Sequence, residues 1–203
     1  MTGSSKWLRA TTFLLASFLP SALFADPVGQ AVGVSQNAFL DRNGTKGYLE
    51  QGGAVVLGDV ITTGATGQVQ ILFQDETRIA VSQNSSLVIE RILFNSSGTA
   101  SEFAVNAVGG AFRFLSGNSN PSAYSISTPK ATMGIRGTEF DFATSAQGGT
   151  LVATFSGEVE LCNQTGQCVV VPGGCSVAGL DSSGQFVIPE GDQEEAALLE
   201  HGF

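Results

Sequence analysis

Arg136 and Glu139 stand three residues apart within Ser127-Thr-Pro-Lys-Ala-Thr-Met-Gly-Ile-Arg-Gly-Thr-Glu-Phe140, a strand-like run otherwise poor in charge. A strand interior carries a charge only where it is paired or used, because an unpaired buried charge is costly. Arg136 is therefore either an internal strut or a contact residue. Asp59, Asp75, Glu139 and Asp141 lie near expected strand ends and supply the carboxylates for acid–base work. The remaining requirements of catalysis are missing from the sequence. Its single histidine is His201, the third residue from the end of the sequence, which argues against Ser-His-Asp, Cys-His and multi-histidine metal arrangements. The glycine pairs at 52–53, 109–110, 148–149 and 173–174 lack the context of a phosphate loop or a dinucleotide fingerprint. A sugar groove rich in Trp or Tyr is not apparent. The expectation is no enzyme, no catalytic residues, no cofactor and no metal.

The elements that position these residues read as β-structure. Charged residues make up 13% of the 203 positions and hydrophobic ones 42%, and the 26 glycines have no Gly-X-Y period. That glycine content implies many turns rather than collagen. Val69, Ile71 and Phe73 alternate with glutamines, and Ile79 and Val81 resume after Asp75-Glu76, which predicts a hairpin. Leu87 and Ile89 follow a turn at Asn84-Ser85. Phe112, Phe114, Phe140, Phe142 and Phe155 fall at strand-like positions and are expected in an aromatic core. Segments around Ser96–Gly98 and Ser116–Ser122 read as exposed loops.

Both ends differ from this body. Residues 1–25 read as an export signal: Lys6 and Arg9 form a positive start, Phe13 to Leu19 an apolar centre, and Ala25 a cleavage position. An uncleaved anchor is the alternative, but Pro20 interrupts a stretch already short for a bilayer. Without Lys6 and Arg9 the nine basic residues fall to seven against 18 acidic ones, a formal charge of −11. That surface repels phosphate backbones and anionic headgroups, so no nucleic-acid partner and no stable membrane insertion after cleavage are expected. Residues 26–188 form the β domain, and the acidic tail 189–203 carries helix formers that predict a short C-terminal helix.

The three cysteines lie late, at Cys162, Cys168 and Cys175. Three single pairings are open. A Cys162–Cys168 bridge across the turn at Thr165-Gly166 is favoured, because an exported chain meets an oxidising compartment and cross-strand partners come within reach.

Three ordered motifs, within roughly Leu49 to Leu161, resemble the FecR domain family of bacterial envelope proteins. They are Leu57-Gly-Asp-Val-Ile-Thr-Thr-Gly64; Val69-Gln-Ile-Leu-Phe-Gln-Asp75 with Thr77-Arg-Ile-Ala-Val81; and Ser127-Thr-Pro129 leading into Ile135-Arg-Gly-Thr-Glu-Phe140, closed by Phe155-Ser-Gly-Glu-Val159. The resemblance implies a compact all-β, roll- or solenoid-like domain of many short strands, located in the periplasm or secreted. In founding members the domain belongs to a membrane-spanning regulator that relays a transporter's signal to a cytoplasmic sigma factor. Here the exported domain alone is expected to carry over, since the sequence reads as having no cytoplasmic segment before the signal and no internal span.

Asp59, Thr62, Asp75, Thr128, Pro129, Arg136, Gly137, Thr138, Glu139 and Phe140 fall on the family pattern, and structural roles are expected for them. Arg136, set between Ile135 and Phe140, is expected to be a buried strut tied to Asp59, Asp75 or backbone carbonyls. The implied function is a non-catalytic binding or sensing module in envelope signalling, with an envelope protein as partner. The alternatives are a structural or surface-associated β-roll protein and, less favoured for its short strands, an outer-membrane barrel.

Overall fold

The computed structural model describes residues 26–189. The expected export signal and most of the acidic tail, with its expected helix, lie outside the described residues. Fifteen strands join in one mixed, open sheet. They are β1 (Gly29–Val34), β2 (Ala38–Arg42), β3 (Thr45–Tyr48), β4 (Ala54–Val55), β5 (Val60–Thr63), β6 (Val69–Phe73), β7 (Arg78–Val81) and β8 (Ser86–Phe94). There follow β9 (Ala100–Leu115), β10 (Tyr124–Ser127), β11 (Ala131–Thr144), β12 (Thr150–Asn163), β13 (Cys168–Pro172), β14 (Ser176–Leu180) and β15 (Phe186–Val187). Pairing is antiparallel except between β9 and β10.

Three long strands organise the sheet. The first half of β9 lies between β8 and β10, and its second half between β7 and β11. β11 and β12 run side by side for their whole length but likewise change outer neighbours midway. One wing thus reads β3-β2-β5-β8-β9-β10-β11-β12-β13, the other β4-β1-β6-β7-β9-β11-β12-β14-β15.

Glycines make the crossing. Gly110 bends β9 at φ 105°, where a Cβ would overlap Ser85. Gly137 and Gly157 face each other in β11 and β12 at φ 59° and 73°. A Cβ on Gly157 would overlap the carbonyl oxygens of Arg136 and Gly137. Only glycine tolerates both the left-handed backbone and that approach.

The two wings share one core. Ile61, Val105, Met133 and Leu161 from the first pack in the same cluster as Ile71, Phe112, Phe142 and Val152 from the second. Phe73 of one wing meets Phe103 of the other edge-on, with ring centroids 4.8 Å apart. Alternation puts these side chains inside: the β6 pattern of Val69, Ile71 and Phe73 buried between more exposed neighbours is the period expected of a half-buried strand.

The all-β reading and the β6–β7 hairpin at Asp75-Glu76 hold. Strand length does not: β9, β11 and β12 reach 14–16 residues, because each serves both wings. Adjacent strands are mostly antiparallel, unlike the parallel coils of a solenoid. Phe155 is only half-buried and sits beneath the Arg113 guanidinium, 5.2 Å from its ring centroid, rather than in the core. Register shifts around Glu139 in the β11–β12 pairing accompany that placement. Ser119, in a loop expected to be exposed, is buried. Among the described residues no helix is long and apolar enough to cross a membrane.

Candidate functional site

The charged residues of the motif separate into locked and open ones. Asp59 is fully buried at the start of β5, following Gly58 at φ 83°. Arg42, at the end of β2, donates Nε and Nη2 to its two carboxylate oxygens at 2.7 Å each. The Val56 amide adds a third bond at 2.8 Å, and Arg42 also donates to the Ala54 carbonyl. Hydrogen bonding to Asp59 raises the Arg42 pKa further above its ordinary value. The strut expected of Arg136 is thus supplied at Asp59 by Arg42.

Asp75, buried in the β6–β7 turn, has no cation as a partner among the described residues. Ser119 Oγ and the Tyr124 hydroxyl donate to one carboxylate oxygen at 2.6 and 2.8 Å, and the Thr77 amide to the other at 3.1 Å. Thr77 Oγ1 and the Tyr124 hydroxyl are 3.0 Å apart, and Gly117 N–H donates to both. This knot ties the turn to the β9–β10 loop and to β10. Burial pushes the Tyr124 hydroxyl pKa up, with Asp75 adding to the shift against the Thr77 and Ser119 bonds.

Glu139 and Asp141 share the outward face of β11. Asp141 accepts two bonds of 2.6 Å from Arg113 of β9, and hydrogen bonding to Asp141 is the main cause raising the Arg113 pKa. Glu139 is half-buried, and its charge raises that pKa a little more.

The uncharged motif residues fix corners. Thr128 Oγ1 accepts from the Ala131 amide at 3.0 Å and meets Thr150 Oγ1 at 2.9 Å, closing the β10–β11 turn over which exposed Pro129 passes. Thr138 Oγ1 accepts from Arg136 N–H and donates to the Glu158 carbonyl, both at 3.0 Å, spanning the Gly137 bend. Phe140 is fully buried against Phe114 and Phe142. Thr62 sits in β5 between Phe39 and Ser86, its Oγ1 buried without a hydrogen-bond partner among the described residues.

Arg136 departs from its expectation. Its side chain is exposed and makes no hydrogen bond or ion pair among the described residues. The physical reason is register: Met133 and Ile135 point to the core, so Thr132, Gly134 and Arg136 face outward. The guanidinium borders a cleft of about 560 Å³ on the outer face of the first wing. Gly134 lines the cleft where a side chain would fill it, and Glu158, Glu160, Val170, Pro121 and Tyr124 line it too. Arg136 and Glu158 are register partners across β11 and β12. The site presents a cation, two carboxylates and the exposed Val170 together, a surface suited to contact with a mixed-charge chain. Nothing in it forms a nucleophile–base pair. No group of three or more His, Cys, Asp or Glu able to hold a metal occurs among the described residues.

Arg42, Arg113, Ser119 and Tyr124 escaped the sequence reading. The rule applied to Arg136, that a charge within a strand needs a partner, fits Arg42 and Arg113 equally well. Their carboxylates lie 17 and 28 residues away, so spacing alone gave no pairing. The Cys162–Cys168 bridge is present, joining register partners of the β12–β13 hairpin, and Cys175 is a free, exposed thiol.

The fold is similar to two crystal structures, at 1.65 and 2.50 Å resolution, of a protein from Parabacteroides distasonis described as a candidate anti-sigma factor. Their TM-scores are 0.53 and 0.52, each at 13% identity over 70% of this chain. The matches span 65% and 64% of the anti-sigma factor chains, a likeness of fold. No curated protein matches in sequence. The sequence profile described as FecR protein matches residues 59–160, beginning at the carboxylate locked by Arg42 and ending at Glu160 in the cleft wall. With half of its length under that profile, and the motif corners built as described, the chain belongs to the FecR protein family.

Proposed function

We propose that this protein is a non-catalytic, periplasmic binding or sensing module that takes part in envelope signalling through protein contacts made at the Arg136 cleft. The observation that carries the proposal is the contrast within the motif. The motif aspartates Asp59 and Asp75 are consumed by internal bonds, whereas Arg136 stands in an open cleft with no partner among the described residues. Family membership and a fold shared with a candidate anti-sigma factor support a regulatory role. The disulfide supports an oxidising compartment, and the charged, signal-like start at 1–25 supports export of a domain spanning 26–188.

Cross-linking in intact cells tests the reading. An envelope protein captured by the native chain and lost with Arg136→Ala, while the melting temperature holds, is the expected result. Capture that is indifferent to Arg136→Ala removes the cleft from the proposal. A purely structural β-roll remains the rival reading, favoured by the number of motif residues locked into corners. Deleting the gene separates the two: altered transcription supports signalling, and altered envelope integrity alone supports the scaffold.

A further inference from the structure

Four strands end the two wings: β3, β4, β13 and β15. β4 and β15 have two residues each, and β3 carries Lys46. β13, Cys168-Val-Val-Val-Pro172, has five residues and no charge. Sheet edges are ordinarily blunted by shortness or charge, because their unpaired N–H and C=O groups accept a further strand. The ladder to β12 fixes which groups of β13 are left open. Asn163 N–H donates to the Gln167 carbonyl at 2.9 Å, and Gly173 N–H to the Gly157 carbonyl at 2.8 Å. Hydrogen-bonded and non-bonded pairs alternate between these two, so Val169 bonds to Leu161 and Val171 to Val159. The N–H groups of Cys168 and Val170, and the carbonyls of Cys168, Val170 and Pro172, therefore face away from β12, on the side where no described strand pairs.

The face beside this edge is that of the Arg136 cleft. Val171 is buried, so Cys168, Val170 and Pro172 turn outward, and Val170 is 58% exposed. Register lays Gly134, Glu160 and Val170 in one row, and Arg136, Glu158 and Pro172 in the next. Glu158 and Glu160 are exposed, and their carboxylates make no hydrogen bond or ion pair among the described residues. A strand added at β13 lies two spacings from β12, about 10 Å. A lysine or arginine on it lays its stem over Val170 and brings its charged head to Glu160. A second one, two residues along the same strand, passes over Pro172 to Glu158. Another copy of this chain fits less well. β13 against β13 offers no charge to either glutamate, and 18 acidic against nine basic residues make the copies repel.

We infer that the open edge of β13 takes an extended segment of a partner protein as an added strand, with basic residues at alternate positions that reach Glu158 and Glu160. Main-chain bonds supply the affinity of such an addition, and the alternate side chains its specificity. The inference rests on the proposed reading of this face as a protein-contact surface, and names the chemistry of the partner.

The test titrates the full chain with a blocked peptide of alternating lysine and valine, followed by calorimetry. The expected result is saturable binding of one peptide per chain. It should weaken several-fold with Glu158→Gln and Glu160→Gln together, and again with Val170→Pro, which removes the central edge donor where an edge strand tolerates proline. Should Val170→Pro fail to fold, the same peptide N-methylated along its backbone, which keeps the charge and loses the donors, asks the question of the native chain and should bind several-fold more weakly. Three results overturn the inference: no binding to the native chain, equal binding of the N-methylated peptide, which leaves only attraction to an acidic surface, or a native dimer in light scattering that Val170→Pro dissolves, which gives the edge to a second copy. Capture in cells that depends on Arg136, without peptide binding, defeats the edge alone. Peptide binding that weakens as expected, with capture indifferent to Arg136→Ala, defeats the cleft reading alone.

Discussion

At the residue scale, the pairs that hold the fold are unequal in how they fail. Asp59 is fully buried, whereas the Arg42 side chain is 41% exposed. Arg42→Ala strands a carboxylate with one remaining amide donor and should cost about 3–5 kcal/mol. Asp59→Asn leaves a guanidinium able to turn toward water, and should cost about 1–2 kcal/mol. Chemical denaturation of the two variants checks this order, and equal losses would refute it. Tyr124 adds a pH dependence. Its folded pKa lies above the ordinary 10.0, so the unfolded chain ionises first as pH rises. The contribution is complete below pH 10 and is lost above it, as pH climbs through the raised value. Tyr124→Phe should lower stability by about 1–3 kcal/mol at neutral pH. It should also flatten this part of the alkaline decline, as read from melting temperatures between pH 9 and 11.

At the element scale, the bends in β9, β11 and β12 decide whether one sheet can serve two wings. Gly157→Ala meets both a left-handed backbone, worth about 1–2 kcal/mol, and two carbonyl oxygens. Gly166→Ala shares the positive φ, at 80°, but finds open space. The first should destabilise clearly more than the second, and matched melting temperatures would remove the packing argument. In the β12–β13 hairpin the bridge closes a short loop of sequence separation six. Replacing both Cys162 and Cys168 by serine should cost about 2 kcal/mol through the freed unfolded chain. The same loss should appear on reduction of the native protein, measured by denaturant midpoint.

At the scale of the whole molecule, Arg136 is the test of where function lies. An exposed side chain without a partner among the described residues contributes little to folding, so Arg136→Ala should stay within about 0.5 kcal/mol of the native stability. A larger loss, found by calorimetry, would return the residue to a structural role. The two charged surfaces are divided between the wings: the Arg136 cleft on one, and the Arg113–Asp141 pair with the buried outer cluster on the other.

Alternation and turns were enough to read the β class, the β6–β7 hairpin and most of the aromatic core, because the side-chain period of a strand is a local property. Motif order gave the family, and residue spacing gave the Cys162–Cys168 bridge, since both partners lie in one hairpin. Tertiary structure alone decided which cation meets which carboxylate. Arg42 with Asp59 and Arg113 with Asp141 are pairings between strands whose register no short window contains. It also decided that Arg136 faces outward. One bulge at Gly137 and the inward claim of Met133 and Ile135 fix its side of the sheet, and with it the difference between a strut and a contact.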